Sequence, residues 1–395
     1  MAKPSKKSES SLEHFAFFKE MKTGNKFADA KNTIPVTHID TGCYVFNAAY
    51  TGDMTVGFPS NRIVMLAGEE AVGKTFFTCY GHALQLQRDG RFIFYFDTEN
   101  AVTDEMLEGF GLNPEGFRII RESTVEECRT TMANLLDIIE EQMGKSTINR
   151  MRCAFILDSL GQLTTLKSMD DASTGNNKKD FTKQAQLKSM FAVLTNRMGY
   201  LDIPMVITNH VYKSLGSFIV TNEVAGGSGP LYACSTILEL RKKQFKDGKV
   251  RKGSIITAKI RKSRWVREGK EVSFYLDFNT GLNKWYGVHL LAQEAGLLEE
   301  FDEKKHTKKG VVVDPALLEK NDKLYVLRHP DKPANQWVVC EESKLHMSTT
   351  IGSIFEPVNE WVKANFKLSK NAVSEEELEQ SDVALDDVVD RSTED

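Results

Sequence analysis

The chain has 395 residues, 41% apolar and 27% charged, enough to bury a core of ordinary size and to divide into one large domain and a smaller one, which excludes a disordered chain. Its formal net charge of -4 sums two unlike parts: residues 374–395 carry ten acidic side chains against one arginine, a net of -9, leaving 50 basic and 45 acidic side chains, a net of +5, in residues 1–373. The lysine-rich start has no apolar run behind it, no window approaches about 18 uninterrupted apolar residues, and the scattered cysteines (Cys43, Cys79, Cys128, Cys153, Cys234, Cys340) form no C-x-x-C pair, which speaks against export, membrane insertion, a disulfide framework and a zinc site.

The first patterned segment is aromatic: Leu12, Phe15 and Phe18, with Phe17 and Met21 beside them, suit a helix that packs on its own core or on a neighbouring subunit. Three short apolar runs, 62–67, 91–97 and 153–158, each end at a residue suited to phosphate or metal chemistry, with helix-length segments between them. The first leads into Gly68-Glu69-Glu70-Ala71-Val72-Gly73-Lys74-Thr75, which matches G-x-x-x-x-G-K-[ST] between a strand and a helix that continues through Phe76. Glycines let such a loop wrap phosphate oxygens with its backbone N–H groups at the positive end of the helix. Lys74 would neutralise the β and γ phosphates of a nucleotide, and Thr75 would place its hydroxyl on Mg²⁺. The second run ends Phe-Asp97-Thr-Glu99, where a carboxylate could polarise a water attacking the γ phosphate or simply cap a helix.

Thr124-Val-Glu-Glu127 reads as a capping box opening a helix that turns Leu135, Leu136, Ile138 and Ile139 inward and stops near Gly144. The third run ends at Asp158, where a carboxylate at a strand's carboxyl end is suited to hold the Mg²⁺ hydration shell. Further strands are expected at 204–209, 235–240, 254–260 and 272–278. Thirteen Lys and Arg against two acidic residues between Arg241 and Lys270 suggest a phosphate-bearing partner. Beyond Leu298 the pattern is irregular, with a polar linker at 299–310 and a helix near 355–366. Strands alternating with helices predict an α/β fold, a mostly parallel central sheet flanked by helices with late antiparallel strands. The expected organisation is an N-terminal segment over 1–33 for contact between protomers, a core over 34–298, a small C-terminal domain over 299–373 and an acidic tail over 374–395.

The order of these motifs resembles the RecA family of strand-exchange recombinases, and within it the phage UvsX-like branch. The resemblance spans about 34–298 and rests on Gly68 to Thr75, Phe-Asp97-Thr-Glu99, Ile-Leu-Asp158-Ser-Leu-Gly, Val-Ile-Thr-Asn209-His210, Ala-Gly226-Gly227-Ser-Gly229-Pro-Leu-Tyr and Lys262-Ser-Arg264. It implies a RecA-type nucleotide-hydrolysing core using ATP and Mg²⁺, with Glu99 activating water and His210 sensing the γ phosphate. It implies two DNA-contacting loops, at about 167–179 and 212–229, with Lys178, Lys179, Lys183 and Lys213 as cations, Gly226 and Gly227 letting backbone approach phosphates, and Phe218 in an apolar triplet that wedges between bases. It assigns Lys262 and Arg264 to the nucleotide of the next subunit, with Lys259 and Arg261 as alternatives, and leaves Met106 where relatives stack a tyrosine on adenine. The implied partners are single- and double-stranded DNA and further copies in a helical filament, with a loader and a single-strand-binding protein as accessory partners and no membrane. The implied location is cytoplasmic, in a bacterial host cell if the protein is phage-encoded. A hexameric helicase of the same fold and a non-catalytic, ATP-binding recombination mediator are the alternative readings.

Overall fold

The computed structural model describes residues 36–145, 152–175, 182–213, 222–247, 250–319 and 322–368. The chain divides into two compact units, Met1–Thr37 and His38–Asp395. Only Val36 and Thr37 of the first are described, so the aromatic segment at Leu12 to Met21 lies outside, as do Lys178, Lys179, Phe218 and the acidic tail.

The second unit opens with a short antiparallel pair, β1 (His38–Ile39) and β2 (Phe58–Pro59). The main sheet takes β3 (Ile63–Gly68), β4 (Phe92–Asp97), β5 (Phe117–Ile120), β6 (Cys153–Asp158), β7 (Met205–Lys213), β8 (Asn222–Val224), β9 (Thr236–Asp247), β10 (Val250–Ser263), β11 (Glu271–Asp277) and β12 (Gly281–Leu282). Their spatial order is β12-β11-β10-β9-β3-β7-β6-β4-β5, with β8 paired to the far end of β7. From β9 to β5 neighbours run parallel, whereas β9 to β12 form an antiparallel extension, as the late strand signals predict.

Both faces of the parallel block are covered, which is why its strands are continuous apolar runs rather than alternating ones. Val64 and Leu66 of β3 join one cluster with Phe46, Phe77 and Phe274, while Ile63, Met65 and Ala67 face a second with Leu136, Met190 and Leu194. The helix Val125–Lys145 starts at the expected capping box: the Thr124 amide and hydroxyl donate to Glu127 Oε2 at 3.1 and 2.8 Å, and the Glu127 amide donates back at 3.2 Å. Leu136 and Ile139 are buried, Leu135 partly so, but Ile138 is 53% exposed because it falls on the solvent side of the helical turn.

Two segments expected as irregular are ordered. The stretch from Lys167 begins inside a helix, Leu166–Ser173, N-capped by the Thr165 side chain. The stretch from Tyr212 continues β7 and returns as β8, with Val211 opposite Val224. The expected linker over 299–310 instead holds β13 (Leu298–Glu300) and a helix, Glu303–Lys308, which Asp302 caps and which buries His306 against Phe301. β13 pairs with β14 (Leu324–Leu327), and β14 with β15 (Val338–Glu341). The final helix, Phe355–Phe366, inserts Val358, Val362 and Phe366 into the cluster that contains Phe46 and Phe274. Its Asn359 Oδ1 accepts from the Met54 amide at 2.8 Å.

Candidate functional site

Four strand ends meet at the carboxyl edge of the parallel block, where crevices of α/β sheets form. β4, β6, β7 and β3 are consecutive neighbours, and the register sets Asp97 beside Asp158 and Gly68 beside His210. After Gly68 the chain leaves the sheet through a loop in which Ala71 (φ 56°) and Gly73 (φ 100°) take left-handed conformations, and a helix starts at Lys74. Gly73 meets its φ without a steric cost, whereas Ala71 carries one. Lys74 is buried, and its amino group donates to the Gly68 and Glu69 carbonyls at 3.1 and 2.9 Å. Burial lowers its pKa, against which the charges of Asp158, Glu99 and Glu70 act.

Asp158 is buried and ringed by hydroxyls. Thr75 Oγ1 and Tyr95 Oη each donate to its Oδ2 at 2.7 Å, and Thr208 Oγ1 donates to its Oδ1. These three hydroxyls meet the hydrogen-bonding needs of a carboxylate that burial has stripped of most of its water. Tyr95 and Thr208 are missing from the sequence reading; they stand on β4 and β7, the strands flanking β6, so the available signal was a polar hydroxyl within otherwise apolar runs. Asp97 is not free for chemistry, since its carboxylate accepts from the amides of Ala101 and Val102 at 3.2 and 3.0 Å.

Glu99 accepts from Ser159 Oγ at 2.6 Å, and His210 Nε2 lies 3.4 Å from both Glu99 Oε1 and Ser159 Oγ. Glu99 does not cap the helix that follows, because Thr103 does so by accepting from the Met106 amide. Residues 70–76, Glu99, Asp158 and His210 line one cleft of about 380 Å³, with Met106, Leu276 and Phe278 also in its wall. Thr75 and Asp158 offer the hard oxygen donors that Mg²⁺ favours, Lys74 offers a cation, and Met106 and Phe278 offer apolar surface, so this donor set fits a magnesium-bound nucleotide. Lys242 also lines the cleft and was not anticipated beyond its place in the basic stretch; its amino group donates to the Ala71 carbonyl at 2.5 Å.

From His210 the chain continues directly into the expected second loop. The Ala225 amide donates to the His210 carbonyl at 3.1 Å, and Asn209 Nδ2 donates to the Ala225 carbonyl at 2.7 Å, so the loop's return is tied to the strand that carries His210. Gly226 and Gly227 follow with φ of 97° and 71°; a Cβ on Gly227 would meet Gln184 at 2.9 Å, so close packing on the helix Lys183–Leu201 already explains that glycine. Lys183 is half-buried and donates to the Gly161 carbonyl at 3.0 Å, on the turn after Asp158. Lys213 ends β7, opposite Asn222.

Lys262 and Arg264 do not reach this cleft. Lys262 pairs with Ile237, which pairs with Met65, half a strand before the phosphate loop, and its amino group donates to the Leu231 carbonyl at 2.5 Å. Arg264 follows the same strand, its amide donating to the Ser235 carbonyl at 3.1 Å. Arg261 lies 3.4 Å from the buried Glu239, and Lys259 pairs with Glu239 and Glu271.

The RecA N-terminal domain family model matches residues 19–283. The recombination and repair protein of Enterobacteria phage T4 is 26% identical over 276 residues, 70% of this chain and 67% of its own. The RecA protein of Clavibacter michiganensis is 25% identical over 281 residues, 68% of this chain and 72% of its own. A crystal structure of the RadB recombinase is similar over 62% of this chain and 99% of its own, at 22% identity and a TM-score of 0.44. The family match takes in the phosphate loop, Glu99, Asp158, His210 and every strand up to β12, and the chain therefore belongs to the RecA family of recombinases.

Proposed function

We propose that the protein is an ATP-dependent recombinase that polymerises as a helical filament on single-stranded DNA, pairs it with homologous duplex and exchanges strands. The observation that carries this reading is the junction of the phosphate loop, Asp158, Glu99 and His210 in one cleft, with His210 bonded through its backbone to the return of the second loop. Mg²⁺ bound between Thr75 and Asp158 would neutralise charge on the β and γ phosphates. Lys74, released from the Gly68 and Glu69 carbonyls, adds a second positive charge there. Glu99 orients the attacking water, its position set by the Ser159 hydroxyl, and His210 reads whether a γ phosphate stands beside it.

That reading couples nucleotide state to DNA grip through β7. Lys178, Lys179, Lys183, Lys213, Phe218, Gly226 and Gly227 are the proposed DNA-contacting residues of the two loops. Lys262 and Arg264, distant from their own chain's phosphate loop along the strand register, are proposed to act on the nucleotide of the next subunit, which makes ATP part of the filament joint. Loader and single-strand-binding partners belong to the same proposal. No helix among the described residues is long and apolar enough to cross a membrane.

Lys74→Ala tests the reading. It should abolish DNA-stimulated ATP hydrolysis, and electron micrographs of the parent with single-stranded DNA and ATP should show open helical filaments. Undiminished turnover, or closed rings in place of filaments, would overturn the proposal.

A further inference from the structure

The phosphate loop is held at two kinds of carbonyl. Lys74, inside the cleft, takes those of Gly68 and Glu69, while Lys242 takes that of Ala71. Lys242 comes from another strand. β9 runs parallel beside β3 as far as the pairing of Leu240 with Gly68; there β3 ends and the loop begins, while β9 continues to Asp247 and delivers the side chain two residues later onto the loop. Lys243, the next residue, projects to the other face of the strand and cannot substitute.

The carbonyl that Lys242 reaches belongs to the loop's strained residue. Ala71 has φ of 56°, a region costly for any residue with a Cβ, and such a conformation persists only where its surroundings impose it. The Lys74 contacts cannot impose it during function, because Lys74 is the side chain that turns to phosphate. Lys242 lines both the nucleotide cleft and a second cleft, behind the loop, with Glu239 and Arg241, so its hold on Ala71 is compatible with a filled site. An ammonium on a carbonyl is also a stronger restraint than a neutral hydrogen bond.

We propose that Lys242 is a positioning residue for nucleotide binding, which clamps Ala71 in its left-handed conformation and so keeps the phosphate loop in its binding shape. This rests on reading Gly68 to Thr75 as the phosphate site.

A double-mutant cycle tests it, with the dissociation constant of a fluorescent ATP analogue and Mg²⁺ as the readout on the full chain. K242M should weaken binding on the order of ten-fold, the factor to which left-handed strain in an L-residue converts, and K242R should restore it to within about two-fold of the parent. In an A71G background, where glycine adopts the conformation unaided, introducing K242M should change affinity by less than about two-fold. A ten-fold loss that persists in A71G would overturn the proposal, since Lys242 would then act on the phosphates by charge; so would K242M that binds like the parent. Should K242M not fold, K242Q runs the same cycle. If the parent fails to bind the analogue and K74A changes nothing, the phosphate-site reading falls and takes this inference with it, whereas tight parental binding with additive losses overturns the inference alone.

Discussion

His82 is fully buried, its Nε2 2.7 Å from the Tyr50 hydroxyl, with the rings of Phe58 and Phe46 at 4.9 and 5.4 Å. Burial pushes its pKa down from 6.5 to about 3. Between those values the unfolded chain binds a proton that the native chain refuses. Stability is therefore fully present above about pH 6.5 and falls by about 1.4 kcal/mol for each pH unit below it. His82→Asn removes that proton uptake, so its urea midpoint should fall less between pH 6 and pH 4.5 than the parent's, even though its absolute stability is lower. Equal slopes would refute the assignment. His82 had no sequence signal, since nothing in Tyr-Gly-His-Ala marks a histidine enclosed by aromatic rings from elsewhere in the chain. The phosphate site was more legible for a physical reason: Lys74 and Thr75 open the helix after β3, Glu99 follows the end of β4 by two residues and Asp158 ends β6, all positions that local pattern sets. Tyr95 and Thr208 escaped because their bonds to Asp158 depend on the register of β4 and of β7 against β6, which no local pattern sets.

Among elements, the helix Val125–Lys145 was legible from its cap. Thr124 and Glu127 exchange three hydrogen bonds, so Thr124→Ala should lower stability by about 1 kcal/mol. Chemical denaturation checks this, and a change indistinguishable from zero would mean that neighbouring strands, not the cap, define the helix start. Strand cores were also legible, but strand ends were not. β7 outlasts its apolar run because β8 pairs with its far end, and β9 and β10 extend as a polar hairpin beyond the covered part of the sheet, where burial no longer shapes the sequence. Residues 299–310 looked like a linker because only His306 among them is buried, while the lysines between 304 and 309 face outward.

At the scale of the whole molecule the net charge of -4 conceals a body of +5 and a tail of -9. Duplex DNA and the tail carry the same sign and would compete for the same basic surface. Deleting residues 374–395 should raise affinity for duplex DNA at low salt, as fluorescence anisotropy would show, and the gain should shrink as salt screens the competition. Unchanged affinity would leave the tail as a solubilising end. The tail's composition was plain from sequence, and so was the doubly covered sheet. The way the last helix shares a core with Phe46 and Phe274 was not, because nothing local relates Phe366 to a strand about ninety residues earlier.

The six cysteines are all buried and unpaired, and burial drives the thiols of Cys43, Cys128, Cys153, Cys234 and Cys340 up to about 12 and that of Cys79 well above its usual range. With so little thiolate and no access for a reagent, the native chain should be silent to maleimides, which a labelling assay checks. A single cysteine placed at an exposed position such as Tyr200 is therefore a unique attachment point for a dye, with all six natural residues left in place. Subunit addition to the proposed filament would become observable one molecule at a time, and uptake of more than one dye per chain would count unfolding.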